Sequence, residues 1–205
     1  MNNSFGNIEL KTFWDEIDER PKELTDKMVE NAEKQLGYKL PKSYIELLKS
    51  RNGGYPVNTC YPTNEKTSWA DDHIEIETIY GIGIENGIDN EYGSNYLIEA
   101  WEYPAIGILI CSCPSGGHDV VMLDYSDCGK DGEPKVVHID METENGEPKI
   151  TVLAQNFETF VKGLKPDIEF ETTTEDDDPT SPKVVSFRLS DELLKDLKEY
   201  GEKNK

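Results

Sequence analysis

The sequence is poor in several things whose scarcity narrows what it can be. It has three histidines and four cysteines in 205 residues. Too few cysteines are present for a disulfide scaffold, so they read as thiols of a reducing compartment, and the chain is expected to be cytoplasmic. The N-terminus, "MNNSFGNIEL", lacks the basic and then apolar order of a signal peptide. The longest strongly apolar run is about "AIGILIC", far short of the roughly 20 residues that cross a bilayer. From Asp71 to Gly129 there is no Lys or Arg at all, against 12 acidic residues. A surface of that sign repels nucleic acid and anionic membrane, and neither is expected as a partner.

What is present supports a folded domain. Hydrophobic residues make up 36% of the chain, enough for a core. The formal net charge is −21, from 21 basic and 42 acidic residues. The imbalance is uneven, because Met1 to Ala70 holds 10 basic and 11 acidic residues. Such a chain stays soluble by its charge, and it also attracts a basic protein, most strongly at low salt.

Apolar spacing organises the first third into helices. Leu10, Phe13, Trp14 and Ile17 fall at i, i+3, i+4 and i+7, which predicts a helix stopped by Pro21. "TDKMVENAEKQLG" predicts a second, capped by Thr25 and ended by Gly37. "LPKSYIELLKSRNGG" predicts a third, with Pro41 in its first turn and Asn52-Gly53-Gly54 as a left-handed stop. The period then changes. "HIEIETIYGIG" alternates Ile74 and Ile76 with Glu75 and Glu77, as a half-buried strand does. "YLIEAWEYPAIGILIC" reads as a strand bent or interrupted at Pro104. "DVVMLDY", "PKVVHID" and "ITVLAQ" are short strands joined by turn-rich segments, hence antiparallel neighbours. "NFETFVKGL" closes the unit as a helix capped by Asn156, with Phe157, Phe160, Val161 and Leu164 toward the sheet. The class is α+β: N-terminal helices, a mostly antiparallel twisted sheet and a closing helix, with an extra C-terminal strand-helix.

That division places a domain at 1–165, an acidic linker at 166–182 and a strand-helix appendage at 183–205. The appendage, "KVVSFRLSDELLKDLKEYG", resembles the first strand and helix of a ribbon-helix-helix unit. The second helix is missing and the segment is nearly neutral, so docking on the domain or pairing of two chains is expected rather than DNA binding.

"CSCPSGGHDVVMLDYSDCGKDGEPKVVHID" concentrates the chemistry-bearing residues. Cys111, Cys113, His118 and Cys128 are zinc-competent, but C-x-C-x4-H-x9-C departs from the paired C-x2–4-C knuckles of structural zinc sites. Histidines stand beside carboxylates at Asp72-His73, His118-Asp119 and His138-x-Asp140, and His138 and Asp140 share a strand face, so they can bond. A general base needs such a pair, yet pairs of this kind arise readily in so acidic a chain. Two strands joined by polar turns account for more of these residues, and neither a metal, a cofactor nor a catalytic group is expected.

Block by block, "LGYKLPKSYIELLKSRNGG", "GGHDVVMLDY", "PKVVHID" and "NFETFVKGL" together resemble the SUKH superfamily, which includes the yeast Smi/Knr regulators and many bacterial immunity proteins. The resemblance runs from about Leu24 to Leu164. It implies an α+β fold without catalysis. In its bacterial form it implies an antidote that binds a cognate toxin domain, often a nuclease, and in its yeast form a signalling scaffold. An acidic face suits the first, because a nuclease site is basic to suit its substrate. The expected partner face is Trp69, Asp71, Asp72, Glu99, Trp101, Glu102 and Tyr103, where aromatic anchors sit amid carboxylates. His118, Asp119, Asp124 and Tyr125 look like family signature positions and join that list. The expected partner is a basic toxin, with a homodimer through the C-terminal segment as a further possibility.

Overall fold

The computed structural model describes residues 5–170, apart from residues 7, 9, 11, 17–19 and 144–145. Contacts divide the chain into two units, Met1–Glu171 and Thr172–Lys205, and the described residues belong to the first. The expected appendage at 183–205, most of the linker and any pairing through them lie outside the described residues.

The helices expected from caps form where the caps are. Helix α1 spans Asp26–Leu36, with the Thr25 hydroxyl accepting from Met28 N–H and Gly37 ending it at φ 78°. Helix α2 spans Lys42–Ser50 directly after Pro41 and buries Tyr44, Leu47 and Leu48. Helix α4 spans Phe157–Gly163, and the Asn156 side chain caps it by accepting from Thr159 N–H at 2.8 Å. The Asn156 cap satisfies a helix-end N–H that would otherwise lack a partner.

Between α2 and α4 lie seven strands. Strands β1 (Cys60–Pro62) and β2 (His73–Glu75) form an antiparallel pair of their own. The larger sheet runs β3 (Thr78–Ile79), β4 (Gly107–Ser112), β5 (Asp119–Asp124), β6 (Lys135–Asp140) and β7 (Lys149–Ala154), each antiparallel to the next. Strand β5 is buried at every position because both sheet faces are covered. On one face Ile108, Val121, Leu123 and Val136 join a core with residues of α1, α2 and α4. On the other, Leu109, Val120, Met122, Val137 and Ile139 form a smaller cluster that includes Tyr103 and takes Leu97 and Ile98 against it.

Two segments differ from the sequence reading. The described part of Leu10–Ile17 is not helical: Trp14 bridges to Pro56, Asp15 N–H donates to Tyr55 O at 2.8 Å, and Val57 N–H to Phe13 O at 2.9 Å. Those backbone groups pair with a neighbouring segment, so no helix can claim them, although Phe13 and Trp14 are buried as their spacing implied. The second is "YLIEAWEYPAIGILIC", whose first half is not strand. Helix α3 spans Ser94–Ala100, and Trp101 N–H donates to Leu97 O at 3.0 Å to close its last turn. The buried Ser94 hydroxyl accepts from Leu109 N–H at 2.9 Å, beside the register slip between Leu109 and Cys111. The helix is thereby fastened to β4 at the point where the ladder is interrupted.

The Asn-Gly-Gly block after α2 is a joint between backbones. Asn52, 1% exposed, accepts from Ile82 N–H at 2.9 Å and donates to Ile82 O at 2.9 Å and Lys22 O at 3.1 Å. Gly53, at φ 90°, leaves no room for a Cβ, which would lie 2.7 Å from Gly81 N. Gly54 and Ile79 exchange both backbone hydrogen bonds at 2.9 Å. The block thus seats α2 against the strand edge, and Tyr44 adds a hydroxyl bond to Tyr80 O at 2.5 Å.

Candidate functional site

At the end of α3, Trp101 is 43% exposed, large for a tryptophan. The next residue, Glu102, has φ 58°, the one non-glycine positive φ among the described residues. Left-handed backbone costs a β-carbon residue roughly 1–2 kcal/mol, so Glu102 stands where glycine would relax the chain. Trp101 lies nearly parallel to Tyr103, ring centroids 6.5 Å apart, and edge-on to His118 at 6.2 Å. Gly117 makes the close approach possible, because a Cβ there would lie 2.7 Å from the Trp101 ring. The Tyr103 hydroxyl donates to Gly117 O and fixes the β4–β5 turn beneath the indole. Burial pushes the Tyr103 hydroxyl well above the ordinary tyrosine range, and the nearby Asp119 adds to it.

These rings border a cleft of about 440 Å³ whose lining includes Glu77, Leu97, Trp101, Tyr103, Cys113 and Asp119. Glu77, Glu99, Glu102 and Glu142 are exposed around it or beside Trp101 in the chain. Glu142 reaches His118 Nδ1 at 3.2 Å. The rim is therefore acidic with an aromatic floor, able to take a cationic or amphipathic group.

The residues expected at a partner face do not all gather here. Trp101, Tyr103 and Asp119 line the cleft and His118 packs edge-on against Trp101, while Glu99 and Glu102 are exposed beside Trp101 in the chain. Trp69, Asp71 and Asp72 stand on the β1–β2 loop, outside the lining of the cleft. Asp71 there pairs with Lys66 at 2.8 Å, which holds its carboxyl below the ordinary value, and Asp72 pairs with His73 at 2.8 Å. Three others turn inward. Tyr125 is 3% exposed and donates its hydroxyl to Lys39 O at 2.6 Å. Asp124 accepts from Ser126 N–H and hydroxyl at 2.9 and 2.5 Å. Asp119 is 1% exposed, buried at the bottom of the cleft it lines, while Tyr125 and Asp124 serve the fold's interior.

The histidine pairs also rearrange. His138 does not bond Asp140; its Nε2 meets Asp119 Oδ2 at 2.6 Å, both side chains buried. Asp140 instead accepts from Ser68 N–H and hydroxyl at 2.8 Å each and from Glu142 N–H at 3.0 Å. The signal for this exists in the hairpin. Val121 faces His138 across β5–β6, so Asp119, two residues earlier on the same face, lies diagonally adjacent. Cys113 completes the group: a sulfur, a carboxylate oxygen and an imidazole nitrogen all lie within 4.8 Å of one another. Of the zinc-competent set read from sequence, only Cys113 belongs here. His118 pairs with Glu142, Cys128 is exposed, and Cys111 lies in the main core. All four cysteines are free thiols.

The class that fold and cleft define is an α+β protein with an acidic, aromatic-floored surface cleft. A family model of the SUKH group described as SMI1-KNR4 cell-wall matches residues 26–161. The match spans most of the described domain, and the chain belongs to this family. A curated relative, the SPbeta prophage-derived uncharacterized protein YokK of Bacillus subtilis (strain 168), is 27% identical over 93% of this chain and 98% of its own length. No solved structure matches. Among the described residues no helix is long and apolar enough to cross a membrane.

Proposed function

We propose that this chain is a non-catalytic immunity protein that binds a basic bacterial toxin domain, a nuclease in the simplest case, and blocks it through the acidic cleft. The observation that carries the reading is Trp101, left 43% exposed and held over Gly117. It sits within a stretch, Asp71 to Gly129, that has no Lys or Arg. An exposed tryptophan is the commonest kind of interface anchor, and carboxylates around it speed encounter with a basic partner and keep nucleic acid away. A nuclease site is basic because its substrate is anionic, so one acidic face can occupy the site and exclude the substrate at once. Family membership supports the same role. The family description also favours a second reading, an intracellular scaffold or regulator with a non-toxin partner.

Growth rescue separates the two. The gene neighbouring this one is expressed alone and together with this chain. Toxicity relieved by the wild type, and relieved at least tenfold less well by Trp101→Ala, is the expected result. A harmless neighbour, or rescue indifferent to Trp101, removes the proposal and leaves the scaffold.

A further inference from the structure

We infer that Cys113, Asp119 and His138 form a binding site for a divalent transition cation, zinc by the chemistry of its donors, beneath the floor of the cleft. One thiolate, one carboxylate and one neutral imidazole are zinc's three common protein ligands, and the two anions balance its charge. Because the three donor atoms lie within 4.8 Å of one another, some point lies within about 2.8 Å of all three. Contraction by roughly 0.5–0.8 Å then reaches zinc bond lengths of about 2.0–2.3 Å.

The 2.6 Å bond between His138 and Asp119 satisfies the group only in part. Asp119 and His138 are 1% and 0% exposed, and Cys113 is 3% exposed. Yet Asp119 Oδ1 and His138 Nδ1 have no hydrogen-bond partner. Buried polar atoms left in that condition are uncommon, because each forfeits its hydration. The opposite Thr151 hydroxyl is likewise buried and unpartnered. Cys113 and Asp119 also line the cleft, which gives an ion an entry path and a fourth coordination position. The three ligands come from the β4–β5 turn and from β5 and β6, so an ion would staple the turn that carries Gly117 and supports Trp101.

The full-length chain is stripped with chelator, titrated with zinc or cobalt(II), and desalted before metal analysis. One ion per chain is expected, with a thiolate-to-cobalt charge-transfer band. Cys113→Ser should abolish the band and weaken zinc binding at least tenfold. The Cys128→Ser variant, at the exposed thiol outside the group, should match the wild type. X-ray absorption of the zinc-loaded wild type, which needs no variant to fold, should show one sulfur beside nitrogen and oxygen neighbours. No retained metal, an ion without a sulfur neighbour, or binding lost in Cys128→Ser but not in Cys113→Ser would each overturn the assignment. Because the readouts are metal content and spectra, failure of the toxin reading would leave this result intact, and the reverse also holds.

Discussion

Replacing Asn52 with Ala should cost this domain a large part of its stability. The side chain satisfies Ile82 N–H and Ile82 O at 2.9 Å each and Lys22 O at 3.1 Å. Ile82 is 0% exposed, so water cannot replace the first two bonds. Leaving two buried backbone groups unpaired, at about 1–3 kcal/mol each, gives roughly 2–6 kcal/mol. For a domain of this size that lowers Tm by roughly 4–24 °C. Asn52→Asp keeps an acceptor for Ile82 N–H but sets a carboxylate against two carbonyl oxygens, so it should destabilise as well. Urea unfolding followed by tryptophan fluorescence and far-UV circular dichroism measures the loss as a lower midpoint at unchanged slope. A loss below about 1 kcal/mol for Asn52→Ala would refute the view that this residue joins α2 to the strand edge.

Further outcomes follow from other places in the molecule. Of the four thiols, only Cys128 is exposed, while burial pushes Cys60 up to about 11, Cys111 higher still and Cys113 well above the ordinary thiol value. A thiol reagent should therefore label one site quickly in the native protein, faster as pH rises, and all four after denaturation; rapid labelling of two or more native thiols would contradict the burial. Glu102→Gly relieves the left-handed backbone at φ 58°, so stability should hold or rise by up to about 1 kcal/mol while partner affinity falls. A loss of stability would show that the conformation is not strained. Partial desolvation of the otherwise exposed Glu133, and then Glu158 nearby, raise its carboxyl above its ordinary 4.5 in the folded state. A carboxyl raised on folding opposes folding as pH climbs from its unfolded value through its folded one. Glu133→Gln should then match the wild type near pH 3 and be the more stable at pH 7; equal stability at both would discard the cause.

Where local chemistry decides the backbone, the fold is legible in the residues. Thr25, Gly37 and Asn156 mark helix ends by hydrogen bonds and φ values that need no tertiary partner. The glycine-containing turns between β5, β6 and β7 likewise mark hairpins. Periodicity misleads where a distant segment competes for the backbone. Phe13 and Trp14 are buried as helical spacing suggests, but residues 55–57 take their backbone bonds. Leu97 and Trp101 are four apart, a helical sign that the bulky residues around Pro104 hide. At the site, adjacency in the chain is a poor guide because a strand sends neighbours to opposite faces. His118 turns out to Glu142 while Asp119 turns in to His138. Only the β5–β6 register, with Val121 opposite His138, reveals that second pair. The Trp101–Tyr103–His118 cluster needs α3 and the β4–β5 turn both in place before it exists.

The most direct test of the central claim is capture from native lysate, with wild-type chain and Trp101→Ala as parallel baits washed at rising salt. The account predicts one basic protein with a toxin-like domain, held by the wild type at low salt and weakened at high salt. The variant should hold at least tenfold less of it. A partner retained equally by both baits, insensitive to salt, or drawn from ordinary acidic proteins would contradict an acidic cleft built around Trp101.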